Sequence, residues 1–481
     1  MPATVVWFRN DLRLADHAAL THAAERGDVV PVFVWDPEGE GGWTPGGAHR
    51  WWLHESLQAL DAALREKGSR LVVRNGDTLD ELLAVCHATG ADRVVWHTRY
   101  APNLRALTEA AREGLEADGV ETRTFAGRIL HDPEAVQTGS GGPYKVYTPF
   151  WNKFRDVVDI SDPLDVPRLG ESKAPSHWPA SVNVGDLGLT PEAQDGADWA
   201  GGIREVWTPG EDGALNRLDA FLDTSLIEYP EGRNVPAAHD TSCLSPHLHW
   251  GEVSPRTVWH RTNDAVTNGA TREAADKFLS EIAWREFSYH VLHHFPTTPT
   301  EPLKEKYSAM PWRATPSYLE AWQRGETGYP IVDAGMRELW RTGWMHNRVR
   351  MITASFLTKD LLVPWQDGAR WFWDTLCGGD LANNTMGWQW AAGCGADAQP
   401  FFRIFNPMSQ SKKHDPDGVY IRRWIPALKD LPTRHLHAPW EASDEVLAEA
   451  GVTLGETYPE PIVDHAERRE KALEALKQVN A

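Results

Sequence analysis

The sequence predicts an α/β N-terminal domain built on a doubly wound parallel sheet, followed by an all-α C-terminal domain. Three observations carry this. Short β-branched runs alternate with helical patterns from residue 4 to about 125, a Pro/Gly-rich stretch without periodicity follows, and beyond it only helical spacing recurs.

The first part reads strand by strand. "TVVWF", "VVPVFVW", "RLVVRNG" and "RVVWHTRY" are continuous apolar or β-branched runs, as expected for strands covered on both faces. Between them, "HRWWLHESLQALDAALREKG" and "LRALTEAAREGLEADG" carry apolar residues at helical spacing. Ligands of such sheets bind at the carboxyl ends of the strands. The first strand runs into "FRNDLRL", so the G-x-G-x-x-G turn of a dinucleotide fold is absent there, which argues against a nicotinamide-dependent redox enzyme. Residues 160–202 are dense in Pro, Gly, Ser and Asp, and place an interdomain connection. The expected domains are 1–130, a linker over 131–202, and 203–481. In the last of these, "DGALNRLDAFLDTSL", "ADKFLSEIAWREFSYHVLHHF", "GMRELWRTGWMHNRVRMITASFLTKDLL" and "GARWFWDTL" are helical in pattern.

Composition narrows the function. With 41% hydrophobic and 24% charged residues the 481-residue chain is globular, and no apolar run approaches the roughly 18 residues of a membrane span. The opening "MPATVVWFRNDLRL" lacks the pattern of a signal peptide, so a cytoplasmic location is expected, without membrane association. The four cysteines are widely separated and form no C-x-x-C pair, which predicts free thiols and no metal site. A net charge of −20 disfavours nucleic acid at long range, so any such contact requires a local basic patch with aromatic neighbours.

Several short constellations carry chemistry. Glu281 and Trp284 lie three apart on one helix, placing a carboxylate beside a flat aromatic wall. Asn347, Arg350 and Met351 share a face, and a buried arginine there needs a partner. In "TSCLSPHLHWG", hydroxyls precede an apolar run, as in a plain helix cap or a cradle for phosphate. In "CGGDLANNTMGWQW", an aspartate, two asparagines and two of the 24 tryptophans combine neutral amides with oxidisable rings, a redox signature.

Together with "WFRNDLRL", "YKVYTPF", "TSCLSPHLHWGEVSPR", "EIAWREF" and "TGYPIVDAGMRELWRTGWMHNRVRMITASFL", that last segment, continued to "GVYIRRW", resembles the DNA photolyase and cryptochrome family over nearly the whole chain, with bacterial class I cyclobutane pyrimidine dimer photolyases the expected nearest kin. The resemblance implies FAD in the helical domain. Tyr229, Thr241, Ser242, Cys243, Leu244 and Ser245 would line its phosphates; Asn347, Arg350 and Asp380 would surround the isoalloxazine and ribityl chain; Glu281, Trp284 and Arg285 join the cofactor-binding set; and Asn384 would face flavin N5. Trp388, Trp365 and Trp312 would form an electron-transfer chain running outward. Trp284, Met351 and Trp390 would wall a pocket for a flipped-out lesion, an extrusion for which photolyases are a standing example. Glu281 would stabilise the lesion radical anion, and Arg233, Arg348, Arg403 and Gln410 would meet DNA phosphates, with Lys412 and Lys413 nearby.

The resemblance further implies light-driven repair of UV-damaged DNA by a monomer. A blue-light receptor without repair activity is the alternative. Enzymes for the (6-4) photoproduct carry two histidines where this chain has Asn347 and Met351, which favours the cyclobutane dimer. Two departures stand out. The family's D-x-D motif begins here with Gly378, leaving Arg350 without its usual carboxylate, from which altered flavin redox poise follows and a Gly378→Asp variant is the natural test. Leu104 replaces a glutamate of folate-using relatives, so a deazaflavin or FMN antenna is expected before methenyltetrahydrofolate, if an antenna is bound at all.

Overall fold

The computed structural model describes residues 3–170, 173–190, 196–313, 315–398 and 402–480; residues 171–172 and 191–195 of the expected linker lie outside them. The chain forms two compact units. The first comprises residues 1–227, 242–296 and 377–380, and the second residues 228–241, 297–376 and 381–481. The first unit therefore gathers residues from all three segments marked out by sequence, because long helices and short returns of chain pack onto the sheet domain.

In the first unit, β1 (Thr4–Phe8), β2 (Val29–Trp35), β3 (Val72–Asn75), β4 (Arg93–His97) and β5 (Glu121–Phe125) form one parallel sheet in the order β3-β2-β1-β4-β5. Every residue of β1 and β2 is buried, which explains their uninterrupted apolar character. Pro31 falls where β2 pairs with β1 alone, one residue before its pairing with β3 begins. β5, "ETRTF", is a largely exposed edge strand whose polar side chains hide it from a search for apolar runs.

The strand order reverses between β1 and β4, the place where doubly wound sheets receive ligands. Here the chain's own side chains fill the turn beyond those strands. Asp11 Oδ2 lies 2.8 Å from His97 Nδ1 and 3.2 Å from His17 Nε2, and the Arg9 guanidinium donates to the His97 carbonyl. Burial opposes charge on Asp11, but its two histidine partners outweigh that and hold the carboxyl well below the usual range.

The second unit is helical around one large core that includes Trp322, Trp365, Phe372, Trp388 and Tyr420. The continuous pattern over 335–362 resolves into two helices, Pro330–Thr342 and Asn347–Ser355. Gly343, at φ +66°, ends the first, and the His346 side chain accepts from Arg348 N to start the second. A π-helical turn, Phe356–Asp360, then extends it. No helix among the described residues is long and apolar enough to cross a membrane.

Candidate functional site

In the first unit, the 23-residue helix Arg272–His294 carries Glu281, Trp284 and Arg285. Trp284 stacks on Tyr147 with ring centroids 3.7 Å apart and 9° between planes, and the Tyr147 hydroxyl donates to Ser280 O at 2.7 Å. One face of the indole is thus covered and its orientation fixed. Arg285 is buried, donates from Nη1 to Glu286 Oε1 at 3.2 Å and lies over the Tyr289 ring. Its Nη2 is a buried donor with no partner among the described residues, a position that suits an anionic or carbonyl-bearing ligand.

Asp380 belongs to the same unit. Tyr289 donates its hydroxyl to Asp380 Oδ2, Arg128 Nη2 approaches that oxygen at 3.1 Å, and Arg128 Nε donates to the Tyr289 oxygen at 2.8 Å. Burial alone would raise the Asp380 pKa; Arg128 and Arg285 reverse that and hold it far below the ordinary carboxylate value. The preceding residues are pinned from two sides. Trp250 Nε1 donates to Cys377 O at 3.1 Å, and Gly379 N donates to His49 Nε2 at 3.0 Å. His49 stacks on His249, and burial lowers the His49 pKa to about 3, so the ring is a neutral acceptor at physiological pH. A Cβ on Gly378 would fall 2.6 Å from Pro246 N and 2.7 Å from Ser245 C. Glycine is required there by a close approach of two backbones.

The stretch 242–245 does not use its hydroxyls as a plain cap, since the helix Ser245–Trp250 begins with no side-chain cap hydrogen bond. Cys243 adopts φ +51°, a left-handed conformation rare outside glycine and asparagine.

In the second unit, Asn384 and Trp388 stand one turn apart on the helix Leu381–Ala392. Asn384 Nδ2 donates to Ala369 O at 2.9 Å. Because a carbonyl can only accept, this bond fixes the amide's orientation and leaves Oδ1 as an acceptor on the opposite side. Trp388 is 2% exposed and packs edge-on against Phe372 and Trp322, with centroids 4.9 Å and 6.0 Å away. Gly368 makes room for it, since a Cβ there would lie 2.1 Å from the indole. Trp365 is buried in the same core, while Trp312 is half-buried at its margin.

Met351, Trp390 and Arg403, predicted to meet the lesion or its DNA, line one shallow cleft together with Ser355, Ala391, Gly393 and Phe405. Arg348 donates to Asn234 Oδ1 at 2.5 Å, and Arg233 lies over the Tyr229 ring. Gln410 sits on the helix Pro407–His414, whose last turn carries Lys412 and Lys413. Asn347 opens the helix of Arg350 and Met351, and Arg350 Nε donates to Met345 O at 2.7 Å.

Behind the cleft wall is a residue that sequence reasoning missed. Lys359, fully buried, donates to Ala392 O at 2.5 Å and lies 3.5 Å above the Phe402 ring. Burial lowers its pKa to about 7 from 10.5. Between these values the unfolded chain binds a proton that the folded chain releases, so this residue makes stability rise with pH from about 7 to about 10. At pH 7 and below, the cost of burying the amine is fully felt. Lys359→Met is therefore expected to flatten that part of the pH–stability curve relative to the unaltered protein, by a few kcal/mol across the window, as read by denaturant unfolding at pH 7, 8 and 9. Parallel curves for the two proteins would reject it.

Residues 4–168 match the family model described as DNA photolyase, and residues 278–478 match that described as the FAD binding domain of DNA photolyase. The deoxyribodipyrimidine photo-lyase of Agrobacterium fabrum is 48% identical over 476 residues, covering 99% of this chain and 98% of the relative. Cryptochrome-2 of Arabidopsis thaliana is 38% identical over 99% of this chain and 79% of its own length. The crystal structure of a bacterial class III photolyase from Agrobacterium tumefaciens superposes with a TM-score of 0.95 at 48% identity, covering 100% of this chain and 98% of that one. The chain belongs to the DNA photolyase and cryptochrome family, with an FAD-binding domain at its C-terminal end. The finer expectation of class I kinship finds no support here, since this structural neighbour is described as class III.

Proposed function

We propose that the protein repairs cyclobutane pyrimidine dimers in UV-damaged DNA under blue light, using FAD. The observation that carries this is the cleft shared by Met351, Trp390 and Arg403, which offers a flat ring, a soft thioether wall and a cation to one extruded pyrimidine dimer. Two features fit the flavin: the orphaned Nη2 of buried Arg285, and the Asn384 amide with Oδ1 turned away from Ala369.

FAD, when bound and fully reduced, supplies the light-driven electron that opens the cyclobutane ring and is returned afterwards, leaving no net redox change. The chain's residues do the rest. Asn384 Oδ1 accepts from a protonated N5, favouring the reduced state without adding charge. Glu281 lies within the set that would meet the flipped pyrimidines, where it would stabilise their radical anion. Ser242, Cys243, Leu244 and Ser245, with Tyr229 and Thr241, belong to the phosphate-binding set, and Asn347, Arg350 and Asp380 to that of the ring and ribityl chain. Arg233, Arg348, Arg403 and Gln410 hold the DNA backbone, a contribution that weakens with salt. A second, antenna chromophore is typical of the family, with deazaflavin or FMN favoured over folate by Leu104.

Holoprotein mixed with oligothymidine carrying cyclobutane dimers should restore thymine absorbance under blue light and not in the dark. No recovery, with flavin bound and reduced, would exclude repair and leave the photoreceptor alternative. Trp390→Ala is expected to weaken dark binding of the lesion-bearing oligonucleotide about 5- to 150-fold, the loss of about 1–3 kcal/mol of base stacking. Binding of undamaged DNA should change little; an equal loss for both would remove Trp390 from the lesion pocket.

A further inference from the structure

His293 and His294 close the helix Arg272–His294, at the end where unpaired carbonyls carry a partial negative charge and favour cations. Glu134, from the segment after β5, lies against them. Its Oε1 is 2.8 Å from His293 Nε2 and 4.0 Å from His294 Nδ1, and the three donor atoms are all within 4.8 Å of one another.

His294 Nε2 lies 3.2 Å from Pro133 O, which can only accept, so Nε2 bears a proton and Nδ1 is the ring nitrogen on the side of Glu134. A backbone carbonyl holding the far ring nitrogen is also what orients metal-bound histidines. The observed separations of 2.8 Å and 4.0 Å bracket the ~3.4 Å expected between ligands of a tetrahedral ion with bonds of ~2.1 Å. The Glu134 side chain is 57% exposed, which leaves a coordination position open to solvent.

We propose that Glu134, His293 and His294 form a surface site for a divalent transition-metal ion of the zinc class. The ion clasps the segment after β5 to the helix that carries Glu281, Trp284 and Arg285. That segment already runs along the same helix: Leu130 N and His131 Nδ1 meet Glu286 Oε2 at 2.7 Å and 2.9 Å, and Tyr144 N donates to His290 Nε2 at 3.0 Å. The ion adds a further tie at the helix end.

The test uses chelator-treated holoprotein. Zn²⁺ titrated against a competing dye should bind with one equivalent, and Co²⁺ at the same site should give the intense visible bands of a four-coordinate ion. His294→Ala should weaken Zn²⁺ binding by about 10-fold or more, and Glu134→Gln should weaken it as well, with flavin content unchanged in both. The melting temperature should rise with Zn²⁺ concentration in the unaltered protein, and in either variant only at higher Zn²⁺ concentration. Absence of stoichiometric binding, or binding that persists undiminished in both variants, overturns the proposal.

Discussion

Trp388→Phe is expected to abolish photoreduction of bound oxidised FAD while leaving repair by the chemically reduced holoprotein close to the unaltered rate. The two activities separate because they draw on different parts of the chain. Repair needs the lesion cleft and a reduced cofactor, whereas photoreduction needs an oxidisable ring as electron donor, and a phenyl ring is far harder to oxidise than an indole. Folding is a weak confounder. The Trp388 Nε1 is a buried donor without a partner among the described residues, so phenylalanine removes an unsatisfied polar group along with part of the ring. The packing lost against Phe372 and Trp322 should cost about 1–3 kcal/mol. Trp365→Phe and Trp312→Phe should slow photoreduction in the same direction, since burial falls from Trp388 and Trp365 to the half-buried Trp312. Steady illumination of the oxidised holoprotein with an external reductant reads the effect directly. Unchanged photoreduction in Trp388→Phe would remove this tryptophan from the electron path.

Gly378→Asp is expected to destabilise the protein by about 3 kcal/mol or more, with loss of flavin. By the family's pattern, Gly378→Asp is a test of flavin redox poise. The backbone contradicts that view. A Cβ would sit 2.6 Å from Pro246 N, 2.7 Å from Ser245 C and 2.8 Å from Pro246 Cα, all main-chain atoms that no rotamer change can move aside. The added charge would also be buried two residues from Asp380, whose carboxylate is held ionised. Gly378→Ala separates the two causes: it should lose most of the same stability, since the clash begins at Cβ. A fully stable Gly378→Ala protein in denaturant unfolding would show that the segment 377–380 can move away, and would reopen the redox comparison. Arg350, meanwhile, donates to Met345 O instead of relying on the missing side chain.

The pieces legible in the sequence share one property, locality. Apolar runs located β1 to β4 because β1 and β2 are buried throughout and β3 and β4 over most of their apolar residues, and they missed β5 because its edge position lets it be polar. Helical spacing placed Glu281 beside Trp284 on one helix, whereas the helix Leu381–Ala392 shows only in the structure that Asn384 stands one turn before Trp388. The same spacing ran through residues 335–362 as one pattern, although Gly343 and the His346 cap divide it, because apolar periodicity does not register a change of axis. Tyr147 stood in a quoted motif, "YKVYTPF", but only its 3.7 Å stacking shows what it does to Trp284.

Residue order and short-range spacing were enough for the fold class, the family and the flavin. Only the tertiary structure decided how the side chains of the site are held. Asp380 is partnered by Arg128, 252 residues away, and by Tyr289, 91 residues away; Gly378 is dictated by the main chain of Ser245 and Pro246; and Lys359 is held down to a pKa of about 7 by a core that surrounds it from separate segments. Burial and close approach are properties of surfaces brought together by folding, and no local pattern encodes them.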